Sequence, residues 1–260
     1  MFVSGSYKKG HKMKKLILIF IFIVSLFAQD KLIFYCGITM YKPMKQIAEK
    51  IEKKYGVKIK IIQGGSGDLY DALSSSKKGD LYLPGSDIYI KRHLNSGFFG
   101  YRQYIGYNQI AIFVQKYNPK HIKGLDDLIR TDLKISLGNE ETCSMGKESI
   151  KVLLKYKGVK FLNKVENNVL LYSFDSKDMN QLLKYKKIDV GLNWKATAFF
   201  PYNRKYISII DINQTYAPKK RLLLTMLTFS KHKKIVKAFI NFAISPQGQK
   251  IMKEYGFLDQ

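Results

Sequence analysis

Two cysteines and four histidines are all that this 260-residue chain offers to thiol or soft-metal chemistry. Two cysteines are too few for a disulfide framework. Cys36 and Cys143 fall in different loops expected to face a ligand, where a bond between them would lock the loops together, so both read as free, partly buried thiols. Neither has a histidine or acid at metal-ligand spacing, and His11, His93, His121 and His232 are scattered, which excludes a recognisable zinc site. No nucleophile with an adjacent base or acid is visible, so the chain is expected to be neither an enzyme nor a cofactor protein. Low-complexity linkers are absent. Acids are scarce as well: 20 against 45 lysines and arginines, a formal charge of +25. The lysines are spread along the chain, arginine is scarce and no helix carries a dense basic face. This describes a solvated surface rather than a nucleic-acid interface, with a positive field that favours small anions.

What is present begins with export. Residues 1–28 hold Lys8, Lys9, Lys12, Lys14 and Lys15 and no acid, then an apolar run from Leu16 to Val24, then Ser25-Leu26-Phe27-Ala28. This predicts a signal peptide cleaved after Ala28. The alternative, a retained anchor, has a run shorter than the ~20 residues a spanning helix needs. Met13 opens a complete signal by itself, which makes residues 1–12 an upstream extension on this reading. Ile33-Phe34-Tyr35 before Cys36 is no lipobox. The mature chain has room for one or two compact lobes.

The stretch from Lys58 to Pro84 organises the rest. Val57, Ile59 and Ile61 alternate with lysines as in a half-buried strand, which runs into Gly64-Gly65-Ser66-Gly67 and then a short helix begun by Asp68. Strand, tight glycine loop and helix N-terminus make a cup for an anion, because helix N-termini present open N–H groups and partial positive charge. Without a following Gly-Lys-Ser/Thr it is not a P-loop, and G-G-S-G lacks the spacing of a dinucleotide fingerprint.

The same strand-loop-helix unit recurs. Lys31–Tyr35 is an expected strand, and Thr39 is a candidate cap for a helix with an apolar stripe through Met44, Ile47, Ala48 and Ile51, stopped by Gly56. A strand at 80–83 leads through Ser86 into a third helix. After a glycine-rich aromatic loop, 108–115 is a strongly apolar strand crossing into a second lobe. There 134–137, the loop 138–146 with its helix, 169–174, a helix capped by Ser176, and 188–193 build a second sheet. Residues 206–212 are expected to return to the first lobe, followed by a strand at 221–229 and terminal helices broken at Ser245-Pro246. Alternation of this kind implies largely parallel sheets with ligands beyond the strand ends.

The order of motifs resembles the periplasmic molybdate-binding proteins of ABC importers. FYCGITMYKPMKQIA is similar to that family's first strand, binding loop and helix; GGSG to its second binding loop; KKGDLYLPGSD to its A-P-A-D segment; GNEETCSMGKESIKVLL to its second-lobe loop; ISPQGQKIMKEYGF to its C-terminal signature. The resemblance implies an α/β, two-lobed type II periplasmic-binding-protein fold, with mixed, mostly parallel sheets and a ligand cleft between lobes. Residues 29–107 would form lobe 1, 108–212 lobe 2, and 213–260 the return to lobe 1. It places Thr39 and Ser66 on oxyanion-binding serines and Met145 on a backbone contact. The ligand set so implied is Thr39, Gly65, Ser66, Gly67, Ser86, Cys143, Ser144, Met145, Ser176, Asn193 and Trp194. Helix capping alone is the competing reading for Thr39 and Ser66, and core packing for Trp194. Where the family has V-Y-x-T-D-A, this chain has Asn193-Trp194-Lys195-Ala196-Thr197-Ala198, and Lys195 is expected to be solvated. The implied function is a periplasmic binding component, a monomer that takes a small molybdate-like or tungstate-like anion to a cognate inner-membrane permease. The competing readings are the same fold with a small organic anion or peptide-like metabolite, or an exported adhesin or sensor lobe.

Overall fold

The computed structural model describes residues 1–2, 31–140 and 143–258; apart from its first two residues, the expected signal segment lies outside them. Two five-stranded sheets form the framework. In the first, β1 (Lys31–Gly37), β2 (Lys58–Gly64) and β3 (Leu81–Leu83) are joined by α1 (Tyr41–Tyr55) and α2 (Ser66–Ser76). A short α3 (Ile88–Arg92) precedes β4 (Phe99–Asn108). The second sheet has β5 (Ile110–Gln115), β6 (Ile135–Gly138), β7 (Val169–Ser173), β8 (Val190–Trp194) and β9 (Ile207–Ile210), with α4 (Ser144–Glu166) and α5 (Ser176–Lys184). The chain then adds β10 (Lys220–Leu227) to the first sheet and ends in α6 (Lys233–Ile244) and α7 (Pro246–Glu254).

The strand orders, β2-β1-β3-β10-β4 and β7-β6-β8-β5-β9, are the same arrangement used twice. Within each sheet the βαβ units supply the parallel pairs β1–β2 and β1–β3, or β6–β7 and β6–β8. The long strands that pass between lobes supply the antiparallel pairs. Half of each sheet is therefore parallel, and that half delivers strand ends and helix N-termini to the cleft.

β1 shows why the apolar runs are continuous. Leu32, Phe34 and Cys36 enter the core beneath α1, α6 and α7, while Tyr35 enters a second cluster with Leu69, Leu73, Tyr82 and Phe99. Both faces of the sheet are covered, so both parities are apolar. α1 stops at Gly56, in the left-handed region at φ 66°, and its stripe of Met44, Ile47, Ala48 and Ile51 is buried. Ser245 caps α7 with its side chain, and Pro246 occupies the first turn. α4 is broken at Lys157 and Gly158, where the backbone leaves helical geometry.

Three expectations need correction. The stretch read as a glycine-rich aromatic loop is the ten-residue strand β4, antiparallel to β10. Residues 207–210 do not return to the first lobe but form the edge strand β9 on β5. The glycine loops are also shorter than expected, because Ser66 and Gly67 already lie in α2, and Ser144 and Met145 in α4.

Candidate functional site

Between the sheets lie two adjoining chambers that share Ile38, Thr39 and Ser176. The inner one, of about 210 Å³, is walled by the first lobe through Gly37, Gly64, Gly65, Ser66, Asp68 and Gly85. Cys143, Ser144, Met145, Phe174, Asp175 and Trp194 wall it from the second lobe. Three helices, α2, α4 and α5, start at this chamber, and each start presents N–H groups that have no partner within the helix.

Each lobe builds its side from the same parts. Strand β1 ends at Gly37, where a Cβ would lie 2.6 Å from Met40 Cε; strand β6 ends at Gly138, where a Cβ would lie 2.5 Å from Met145 Cε. The glycine at each strand end leaves room for a methionine to fold over it. In each lobe a hydroxyl then rests on the methionine sulfur: Thr39 Oγ1 donates to Met40 Sδ at 2.9 Å, and Ser176 Oγ to Met145 Sδ at 3.7 Å. Thioether sulfur is a weak acceptor, so either proton can be redirected to an anion at little cost.

Ser66 is held differently. Its Oγ accepts the N–H of Gly85 at 2.9 Å, and the Tyr82 hydroxyl donates to the Ser66 carbonyl at 2.8 Å. With a lone pair so engaged, the Ser66 O–H is aimed as a donor. A Cβ at Gly85 would lie 3.5 Å from Ser66 Oγ and 3.8 Å from Ser144 Oγ, which brings hydroxyls of opposite lobes around one point. Ser144 makes no side-chain hydrogen bond among the described residues, and neither does the indole N–H of Trp194. Cys143 caps α4, its Sγ accepting from the Gly146 N–H at 3.4 Å and donating to the Asn139 carbonyl at 3.2 Å. Burial pushes the Cys143 thiol up, partly opposed by that N–H. The Met145 N–H also faces that sulfur and, like the Gly146 N–H, opposes the upward push of burial.

Of the residues expected at the site, Thr39, Gly65, Ser66, Cys143, Ser144, Met145, Ser176 and Trp194 line the inner chamber, and Gly67, Ser86 and Asn193 do not. Asn193 is wholly buried, donating to the Ser176 carbonyl at 3.1 Å and to Asn180 Oδ1 at 3.0 Å. Neither Thr39 nor Ser66 is a side-chain helix cap: α1 is preceded by Met40 and α2 by Gly65. Ser176 is not the cap of α5 either; Asp175 accepts from the N–H groups of Lys177 and Asp178, both at 2.8 Å. Trp194 serves both readings, being buried in the second-lobe core and facing the chamber. Lys195 is partly exposed and pairs with the exposed Asp211 at 2.6 Å. Cys36 lies in the first-lobe core, away from the chamber, where burial pushes its thiol far up. Asp80 fixes its loop, accepting from the Ile33 N–H at 2.8 Å and the Ser230 hydroxyl at 2.6 Å. Sequence reasoning passed over Gly85, Asp68 and Asp175 as lining residues. Asp68 and Asp175 each carried a local signal, as an acid at a helix start.

The outer chamber, of about 360 Å³, adds Tyr41, Lys42, Gln63, Lys177, Asn180, Thr197, Phe200 and Tyr202. Phe200 reaches it from the second lobe while packing in the first-lobe core, because the turn Lys195–Phe199 crosses between lobes.

Known proteins share this architecture. The chain is 23% identical over 251 residues to a Haemophilus influenzae protein described as a candidate binding protein, covering 95% of this chain and 99% of that one. It is 26% identical over 225 residues to YvgL of Bacillus subtilis, described as a candidate ABC-transporter substrate-binding lipoprotein, covering 80% of each. Among solved structures, the substrate-binding domain of a candidate molybdenum ABC transporter from Clostridium difficile superposes with a TM-score of 0.72 at 19% identity, over 89% of this chain and all of that one. The sulfate-binding protein SubI of Mycobacterium tuberculosis gives 0.75 at 18% identity, over 88% and 86%. PEB3 of Campylobacter jejuni, solved with L-phospholactate, gives 0.69 at 19% identity, over 88% and 100%. The fold is therefore the two-lobed type II periplasmic-binding-protein fold. The model of the bacterial extracellular solute-binding proteins matches residues 32–258, and the chain belongs to that family.

Proposed function

We propose that the protein is the exported binding component of an ABC importer and that it holds an oxyanion group in the inner chamber. The observation that carries this reading is the convergence of donors: the hydroxyls of Thr39, Ser66, Ser144 and Ser176 line one small space, at the start of α2, with no lysine or arginine. Uncharged, fixed donors suit an anion whose charge is spread over several oxygens, since hydrogen bonds to a charged group contribute about 1.5–3 kcal/mol each. The two lobes would close over the ligand by a hinge motion about the connecting strands.

The test is a thermal-shift series on the purified chain with molybdate, tungstate, sulfate and phosphate, joined to elemental analysis of what copurifies. A ligand present at 100 times its Kd should stabilise the fold by about 2.7 kcal/mol. No shift with any oxyanion, and none with small phosphorylated carboxylates, would remove the reading. For export, N-terminal sequencing of the cellular protein should begin near Gln29; residues 1–28 retained on a membrane would overturn that part.

A further inference from the structure

The outer chamber is as much a part of the cleft as the inner one, and a bare inorganic oxyanion does not use it. It adjoins the inner chamber, with Ile38, Thr39 and Ser176 lining both. Its walls differ in kind. The inner walls hold two carboxylates, Asp68 and Asp175, and no base, whereas the outer walls hold Lys42 and Lys177 and the rings of Phe200 and Tyr202. Lys42 is half-buried at the start of α1, and its Nζ stands 3.8 Å from the Tyr202 ring centroid. It has no carboxylate partner among the described residues. A partly desolvated ammonium held over an aromatic face and facing a cavity is a site for an anionic group. Burial lowers the Lys42 pKa, the direction expected of a cation without a counter-charge. Asn180 adds its side-chain NH2, since its Oδ1 is taken by Asn193 and its nitrogen has no partner among the described residues.

We infer that the cleft is a two-part site for a small organic anion that carries an oxyanion group for the inner chamber and a carboxylate for Lys42 in the outer one. This rests on the oxyanion reading of the inner chamber and specifies what is attached to the oxyanion. The short carbon segment between the two groups would pass Ile38 and lie against Phe200 and Tyr202.

Calorimetric titrations separate this inference from the reading beneath it. Phosphonoacetate and phosphoenolpyruvate are compared with inorganic phosphate, sulfate and molybdate on the wild-type chain, on Lys42→Met and on Tyr202→Ala. Lys42 is in the first turn of a helix whose core face is made by other residues, so Lys42→Met should fold; a thermal melt of each variant verifies this. The expected result is that a phosphorylated carboxylate binds at least tenfold more tightly than any inorganic ion. Lys42→Met should then cost the organic ligand at least ten times what it costs phosphate, and Tyr202→Ala should act in the same sense. If an inorganic ion binds as tightly as the organic probes, the two-part site is overturned while the inner-chamber reading stands. If the organic advantage survives Lys42→Met unchanged, the assignment of the carboxylate to Lys42 is overturned. Absence of binding by every probe sinks both.

Discussion

Glu148 Oε1 of α4 lies 2.6 Å from Lys220 Nζ at the start of β10, so an ion pair joins the second lobe to the first where the chain passes back between them. Lys151, one turn further along α4, approaches the other oxygen of Glu148 at 3.6 Å with most of its side chain in water. Glu148 is mostly buried and Lys220 largely so. Glu148→Gln, which leaves the Lys220 ammonium without its counter-charge, should lower the unfolding free energy by about 1–3 kcal/mol. Lys151→Met should change it by less than about 0.5 kcal/mol. Denaturant melts of the two variants check the contrast, and equal effects would mean that the inter-lobe pair contributes nothing special.

Ser144 and Ser66 make a second contrast. Ser144 Oγ has no partner to lose among the described residues, whereas Ser66 Oγ satisfies the buried N–H of Gly85. Ser144→Ala should therefore leave the melting temperature nearly unchanged and weaken binding of the oxyanion found in the screen by about 10- to 150-fold, the loss of one hydrogen bond to a charged group. Ser66→Ala should weaken binding to a similar degree and also cost about 1–3 kcal/mol of stability, because the Gly85 N–H is left buried and unpaired. Titration and thermal melts on the same samples read both effects. Unchanged affinity in both variants would disprove the donor role of the hydroxyls.

The thiols should report their surroundings. Both are free, Cys36 at the centre of the first core and Cys143 partly exposed at the chamber. In native protein a thiol reagent should modify Cys143 slowly and Cys36 not at all, and denaturant should release both. Below the ordinary thiol pKa of about 8.5, Cys36 carries its proton folded or unfolded and has no effect on the pH dependence of stability. Above it the unfolded chain ionises while the folded one does not, so stability falls with rising pH by up to about 1.4 kcal/mol per unit. Cys36→Ala should be less stable at neutral pH but show a shallower alkaline slope. The same slope in both proteins would contradict the burial of that thiol.

Gly146 tests the construction of the second-lobe wall. A Cβ there would run into the Gly138 carbonyl and lie 2.6 Å from the Asn139 carbonyl oxygen, both main-chain groups that cannot swing away. Gly146→Ala should cost more than about 1–3 kcal/mol and displace the start of α4, with loss of binding. Gly67→Ala, with nothing within 4 Å of the added carbon, should be tolerated in both respects. A stable, binding-competent Gly146→Ala would show that the wall is not rigid.

The fold was readable where local pattern and tertiary role agree. β1 and α1 announce themselves by a buried run, a regular stripe and a terminating Gly56, and the break at Ser245-Pro246 by a cap and a proline. β4 was not readable, because FGYRQYIGYN has no period-two burial, and its pairing with β10 shifts register twice to accommodate it. β9 could be read as a strand but not assigned to a sheet, since the choice between two half-formed edges depends on where the chain already is. At the site, the hydroxyls of the glycine loops were legible, but their real partners were not. The sulfur contacts of Thr39 and Ser176 and the N–H of Gly85 come from residues as far as 31 positions away in sequence. Asn193 was misplaced because β8 alternates, and its side chain falls on the face covered by α5 rather than on the cleft.

Asp68 and Asp175 have one more consequence, and it concerns the ligand's own proton. The four hydroxyls of the inner chamber can donate to a ligand; these two carboxylates can only accept. A phosphate or phosphonate that keeps one hydrogen can place it there, which a fully ionised sulfate or molybdate cannot do. The second ionisation of a phosphate ester lies near pH 6, so the protonated form becomes scarce as pH rises above it. Binding of phosphorylated probes should thus strengthen as pH falls through this range. In this way the chamber would sort tetrahedral anions by hydrogen content rather than by size.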